Sequence, residues 1–157
     1  MFTHLDPHHR ATMVDTSQKQ PTLRTATARS TVVLPPNVLA ELLTGDELRS
    51  PKGSVFQTAV LAGIMAAKNT GDLIPLCHPL GLDNCQIHIQ LDENQRVVID
   101  CTATVNARTG VEMEALVGAS IAALTVYDMC KALSHDILIL ETKLMAKTGG
   151  KRDFHRR

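Results

Sequence analysis

Aromatic side chains are nearly missing from this 157-residue chain, which has no Trp, one Tyr and three Phe, 3% in all. That removes the stacking platforms on which single-stranded nucleic acids are bound. Net charge is missing as well, because 16 Lys and Arg balance 16 Asp and Glu. A whole-molecule field of the kind that draws proteins onto DNA, RNA or anionic lipid is therefore excluded, and any anion site must be local. Cys77, Cys85, Cys101 and Cys130 contain no C-x-x-C pair. Neither a disulfide scaffold nor a structural zinc site is expected, and the thiols of Cys85 and Cys101 read as reduced and buried. Apolar runs are broken by Gly, Lys, Thr or Glu short of membrane-spanning length, and residues 1–15 hold His, Asp and Arg but no hydrophobic signal core. The expectation is a soluble, cytoplasmic protein that binds neither nucleic acid nor membrane.

What is present is an ordinary globular balance, 44% hydrophobic and 20% charged, at the size of one domain. Residues 1–20, with His4, His8, His9, Arg10 and Lys19, show no apolar period and read as an arm ordered only against something else. Residues 21–157 read as a single domain with a flexible C-terminal tail from about 148. Its Thr- and Val-rich start, Pro21 to Leu34, suggests a strand. Asn37 is placed to cap a short helix ending at Gly45, and Ser54 to cap a longer one running to about Lys68. In that second helix Ala59, Ala62, Gly63, Ala66 and Ala67 leave room for another backbone to approach. Gln86–Leu91 and Val97–Val105 carry their apolar residues on odd positions about a short polar link, the pattern of a hairpin with one buried face. Met113 to about Leu133 reads as a long helix and Ile137–Leu140 as the opening of a last strand. The order predicts an α+β fold, a ferredoxin-like two-layer sandwich with helices on one face of an antiparallel sheet.

Several polar groups break the apolar pattern. At about 100° per residue, Val117, Ile121, Leu124, Asp128 and Lys131 share one stripe, predicted to start buried and end charged. Asp128 and Lys131 either form an i, i+3 ion pair where the helix leaves the core or line a pocket there. Glu112 and Glu114 open the same helix, where acids complement the dipole but also repel each other, so they either serve the helix end or bind a purine-like edge and steer protons. Lys52 sits between Pro51 and Gly53 before a helix, as an exposed turn lysine or as part of an anion site. In LIPLCHPL, Pro75 and Pro79 stiffen the backbone around Cys77 and His78, a rigid display suited to binding. No second His lies at ligand spacing from His78, so metal ligation is not expected, and His88 reads as the outer face of its strand.

The blocks KGSVFQTAVLAGIMAAKNTGDLIPLCHPL, RTGVEMEALVGASIAALTVYDMCKAL and KTGGK, in this order and spacing, resemble the MoaC family, the cyclic pyranopterin monophosphate synthases of molybdenum cofactor biosynthesis. The likeness runs from about Met13 to Lys151. It implies a lyase that rearranges 3′,8-cyclo-7,8-dihydroguanosine triphosphate, closes a cyclic phosphate and releases pyrophosphate. It further implies Asp128, Lys131 and Lys52 as catalytic residues, and Leu76, Cys77, His78, Glu112, Met113, Glu114 and Lys147 as substrate-binding ones. No metal site and no required cofactor follow, though Mg²⁺ is compatible with a triphosphate substrate. The partners implied are the small-molecule substrate and further copies of the chain, in a hexamer built as a trimer of dimers with pockets at subunit boundaries. Crowded lysines depress one another's pKa, so Lys131, oriented by Asp128, is expected to move protons near neutrality while Lys52 and His78 hold phosphates. Ser54 and Val60 stand where many relatives have Asp and Arg, and Arg152-Asp153 replaces the usual Ser-Gly after the tail lysine. Two rival readings remain: a non-enzymatic nucleotide-sensing module on the same sandwich, and a metal-dependent hydrolase using His78 and the two glutamates.

Overall fold

A computed structural model describes residues 4–157. The first strand, β1 (Thr22–Val33), shows by its alternation which side it turns inward: Ala26, Ala28, Ser30 and Val32 are buried. On the opposite face Thr27 bonds Thr102 across the strands, and Arg29 grips Asp100 with two hydrogen bonds of 2.7 and 2.8 Å. Helix α1 (Pro36–Leu42) begins with Pro in its first turn, where a missing N–H costs nothing. Asn37 does not cap it. The cap position belongs to Pro35, and Asn37 lies inside the helix with its amide donating to the Leu133 carbonyl at 3.2 Å.

Next comes a small sheet that the sequence did not announce, made of β2 (Leu43–Thr44), β3 (Glu47–Ser50) and β4 (Gly53–Ser54). Strands of two to four residues are too short to show a period. Gly45 and Gly53 make its turns with φ of +63° and +110°, values that favour glycine. The β3–β4 turn is the one that presents Lys52. Ser54 caps α2 (Val55–Lys68) as expected, its hydroxyl accepting from the Gln57 N–H at 3.2 Å. After a short helix, α3 (Thr70–Leu73), follow β5 (Asn84–Leu91), β6 (Val97–Ala107), α4 (Glu112–Cys130), β7 (Leu138–Thr148) and β8 (Phe154–His155).

The main sheet has the order β5-β6-β1-β7-β8 with every pair antiparallel. With α2 after β1 and α4 after β6, this is the βαββαβ arrangement of a ferredoxin-like sandwich, as predicted. Beyond 148, where the sequence suggested a tail, the chain turns at Gly149 and returns so that Phe154 and His155 pair with Lys147 and Ala146.

Helix α4 lies on the sheet through small residues. Ala115, Ala119, Ala122, Ala123 and Val126 are fully buried, against Ala26, Ala28, Cys101 and Ala103 at one end and Val32 and Ile99 at the other. Glycine sets the closest approach: a Cβ on Gly63 of α2 would stand 2.7 Å from the Gly118 carbonyl oxygen of α4. The small-residue helix thus receives a second backbone, as its composition suggested. The predicted core stripe on α4 is corrected. Val117 and Ile121 are only half-buried, Leu124 is 52% exposed and Asp128 and Lys131 face outward. The true core stripe lies on the opposite face of the helix, about half a turn round at 100° per residue, on alanines whose low hydropathy hid them behind the larger Val, Ile and Leu. By length and composition α4 is apolar enough to cross a membrane, yet half of it is packed inside this fold.

Candidate active site

Five segments meet at one end of the sheet around a cleft of about 680 Å³. Proline-stiffened loop 74–79 forms one wall. There the Cys77 N–H donates to the Ile74 carbonyl at 3.1 Å, and Leu76, Cys77 and His78 are half-buried at the cleft surface. The first turn of α4 forms the floor with Glu112, Met113 and Glu114, and the end of β7 contributes Lys147. All seven residues expected to bind substrate therefore converge. Arm residues Val14, Thr16 and Lys19 close one side, and the turn after β7 brings Lys151 and Arg152 to the rim.

The two glutamates are differentiated by their surroundings. Glu112 takes a 2.7 Å hydrogen bond from Lys147 Nζ. Burial works to raise its pKa, but that bond, its own backbone N–H and the charges of Lys147 and Arg24 outweigh burial and hold it below the ordinary value. Glu114, only 3% exposed, is pushed up chiefly by burial and further by the neighbouring Glu112 charge. Two carboxyls whose environments drive their titration apart are suited to one charged and one proton-carrying role. The Cys77 thiol is also raised, by burial first and then by Glu114. Asp15 of the arm is held low, mainly by the Ser17 N–H, with His78 adding its charge.

Cations that the sequence did not single out as ligands complete the cleft: Lys19, Arg24, Arg108 and Arg152 line it beside Lys147 and Lys151. Six of the chain's 16 Lys and Arg thus surround one cavity of a protein with no net charge. Arg24 Nε donates to the Ala107 carbonyl at 3.1 Å, which fixes its guanidinium at the cleft edge. A signal for it exists in the sequence, because Arg24 shares the even phase of the buried Ala26 and Ala28, and a charge on that phase marks where the strand leaves the core.

Lys52, Asp128 and Lys131 lie elsewhere. They gather at the far end of α4, about 24 Å from Glu112 for sixteen residues at 1.5 Å each. The Lys131 ammonium bonds Asp128 at 2.7 Å with both side chains more than half exposed, which realises the i, i+3 pair. Asp128 is held low mainly by that bond, with Lys52 close enough to add to the effect. The expected depression of Lys131 is not found. Its pKa is raised, first by the hydrogen bond to Asp128 and then by that residue's charge, because the partner beside it is an acid rather than another lysine. Among the described residues no three His, Cys, Asp or Glu are grouped to hold a metal ion. The four cysteines are free, and His88 faces outward.

The MoaC family model matches residues 13–150. Cyclic pyranopterin monophosphate synthase of Xanthomonas campestris pv. campestris (strain 8004) is 57% identical over 152 residues, 97% of this chain and 92% of that protein. The molybdenum cofactor biosynthesis bifunctional protein of Synechocystis sp. is 49% identical over 157 residues, 98% of this chain but 45% of the longer relative. Molybdenum cofactor biosynthesis protein 1 of Mus musculus is 49% identical, with 99% of this chain matching 24% of it.

Proposed function

The chain belongs to the MoaC family, and from that premise we propose that it is a cyclic pyranopterin monophosphate synthase, a lyase of molybdenum cofactor biosynthesis. It converts 3′,8-cyclo-7,8-dihydroguanosine triphosphate to cyclic pyranopterin monophosphate and releases pyrophosphate. The observation that carries this reading is the concentration of six cations around one cleft that also holds a partly buried, ion-paired carboxylate and a buried carboxyl beside it. Guanidinium and ammonium groups meet the triphosphate, while Glu112 and Glu114 face the donor edge of the guanine-derived ring. A sensing module that leaves its nucleotide unchanged is not favoured, since the similar proteins carry the synthase name.

The residues divide into two sets, and this shapes the mechanism. Leu76, Cys77, His78, Glu112, Met113, Glu114 and Lys147 form the binding half. Lys52, Asp128 and Lys131 form the second half, supplied to the cleft by another copy of the chain, because one copy keeps them a helix length away. Exposed Leu61, Met65 and Leu124 on the outer helical face, with Leu73 of α3, support self-association, and a trimer of dimers would bury them. Within that shared site Asp128 keeps Lys131 as an ammonium ion able to donate a proton or hold charge. Lys52 and His78 hold phosphate oxygens. Any Mg²⁺ would enter on the triphosphate. The packing of half of α4 inside the fold supports reading it as a core helix rather than a membrane span.

The deciding experiment is incubation of the purified protein with the cyclic dihydro-GTP precursor. Appearance of pyrophosphate together with a fluorescent pterin on oxidation is the expected result. Recovery of unchanged precursor would reject the assignment.

A further inference from the structure

The turn that joins β7 to β8 is tied at both ends. Gly149 takes φ +84°, and a Cβ there would run into the Leu23 carbonyl of β1, so only glycine fits. Its carbonyl accepts from the Thr22 hydroxyl at 2.8 Å and its N–H donates to the Asp153 carboxylate at 3.2 Å. Past the turn, β8 pairs back on Ala146 and Lys147, and the Arg156 N–H reaches the Met145 carbonyl at 2.7 Å. Gly150 rests on Arg24, where an added Cβ would lie 3.3 Å from Nη1. Arg24 is itself held by the Ala107 and Arg108 carbonyls.

This fixed rim carries Lys151 and Arg152, both exposed and both lining the cleft. Among the described residues neither has an acidic partner, whereas the deeper Lys147 is already bonded to Glu112. Asp153, the acid next in sequence to Arg152, spends its carboxylate on the Gly149 N–H. A planar guanidinium left uncommitted on a rigid turn, beside a second cation and on the rim of the cleft that Arg24 also lines, matches the oxygens of two adjacent phosphates.

We propose that Arg152, presented by this turn, is a further residue that holds the β,γ-phosphates of the substrate and the pyrophosphate that leaves. The proposal rests on the synthase reading above. In the ring-closing step a substrate hydroxyl oxygen bonds the α-phosphorus and loses its proton to a base. The bond between that phosphorus and the β-bridging oxygen breaks, and its electron pair leaves on the pyrophosphate. Arg152 binds the charge that develops there, with Lys151 beside it.

Titration of the full-length protein with inorganic pyrophosphate tests this without turnover. Arg152→Ala is expected to weaken pyrophosphate binding about tenfold, or 1.4 kcal/mol, with Arg152→Lys recovering part of the loss and Arg152→Gln none. In turnover, KM for the precursor rises by a larger factor than kcat falls. Circular dichroism and Tm check that the variants fold. Equal pyrophosphate affinity in wild type and Arg152→Ala, or a Gln variant as good as Lys, overturns the proposal. A wild-type protein that failed to convert the precursor while Arg152→Ala still lost pyrophosphate would overturn the synthase reading and leave the anion subsite standing.

Discussion

Glu112 and Glu114 sit two residues apart in one helical turn, and the difference between them is made by neighbours rather than by position in the sequence. Lys147 bonds Glu112 from strand β7, and burial raises Glu114. Removing Lys147 takes away a hydrogen bond and a charge that oppose burial and leaves the backbone N–H of Glu112 and the Arg24 charge, so the pKa of Glu112 should rise from its lowered position. The sign of the stability effect follows. In the wild type the lowered pKa contributes stability that is present above the unfolded pKa and lost as pH falls through the folded one. In Lys147→Ala the folded pKa lies higher than in the wild type, so less of that stability is present once the carboxyl is ionised. Urea unfolding across pH should therefore find the variant nearly as stable as wild type at about pH 3 and increasingly less stable up to about pH 6, near the titration range of a carboxyl. A gap that stays constant over that range would contradict the assigned pairing. At the other end of α4, Lys131→Ala should leave a folded protein, since the side chain is 53% exposed. Its rate of cyclic product formation should fall by about 10²–10⁴, the range for loss of a positioned proton-transfer group. Single-turnover product analysis checks it, and appreciable turnover would remove the role.

The contact between α2 and α4 illustrates why glycine and alanine can define an element's place as strictly as large residues do. Gly118 of α4 lies beneath Cys101, where an added Cβ would stand 2.6 Å from the sulfur and 3.2 Å from the Gly63 carbonyl oxygen. Gly118→Ala must therefore push the helix outward or displace a fully buried thiol. Overpacking of this kind costs about 1–3 kcal/mol, and each 1 kcal/mol lowers Tm by roughly 2–4 °C at this chain length. Calorimetry should show that fall in the single variant and a partial recovery when Cys101→Ala makes room. Recovery of nothing would mean that the α2 backbone, not the sulfur, sets the limit. The site feels this packing as well, because the first turn of α4 carries the cleft floor.

For the whole molecule, the proposed site is split: Lys52, Asp128 and Lys131 lie about a helix length from the cleft that holds the proposed binding residues. Lys147→Ala disables the binding half and Lys131→Ala the other, so each variant alone should be inactive. If the halves meet across two copies, mixing the variants after subunit exchange should restore about a quarter of wild-type activity, since random pairing makes half the dimers mixed and gives each one intact site. A mixture as inactive as its parts would place both halves in one copy and reject the shared site. Ionic strength is a second global lever. Because the net charge is zero and the cations are local, salt should raise KM by screening the cleft while leaving diffusion to the protein largely unsteered.

The main outline was legible in the sequence. Odd-phase apolar residues from Ile87 to Val105 declared the hairpin, Ser54 declared the start of α2, and seven residues that line one cleft were named in the motif blocks, because period, caps and short motifs are local properties that the chain carries wherever it folds. Tertiary structure alone decided which face of α4 is core, since Ala119 and Ala122 win burial over Ile121 and Leu124 only when the glycine and alanine surfaces of α2 and the sheet are there to receive them. It also decided the direction of the Lys131 shift, the splitting of Glu112 from Glu114, and the arrival of Arg24, Arg108 and Arg152 at one cleft. Those outcomes depend on distances between residues far apart in the chain, and charge interactions follow distance and burial, which no local pattern encodes.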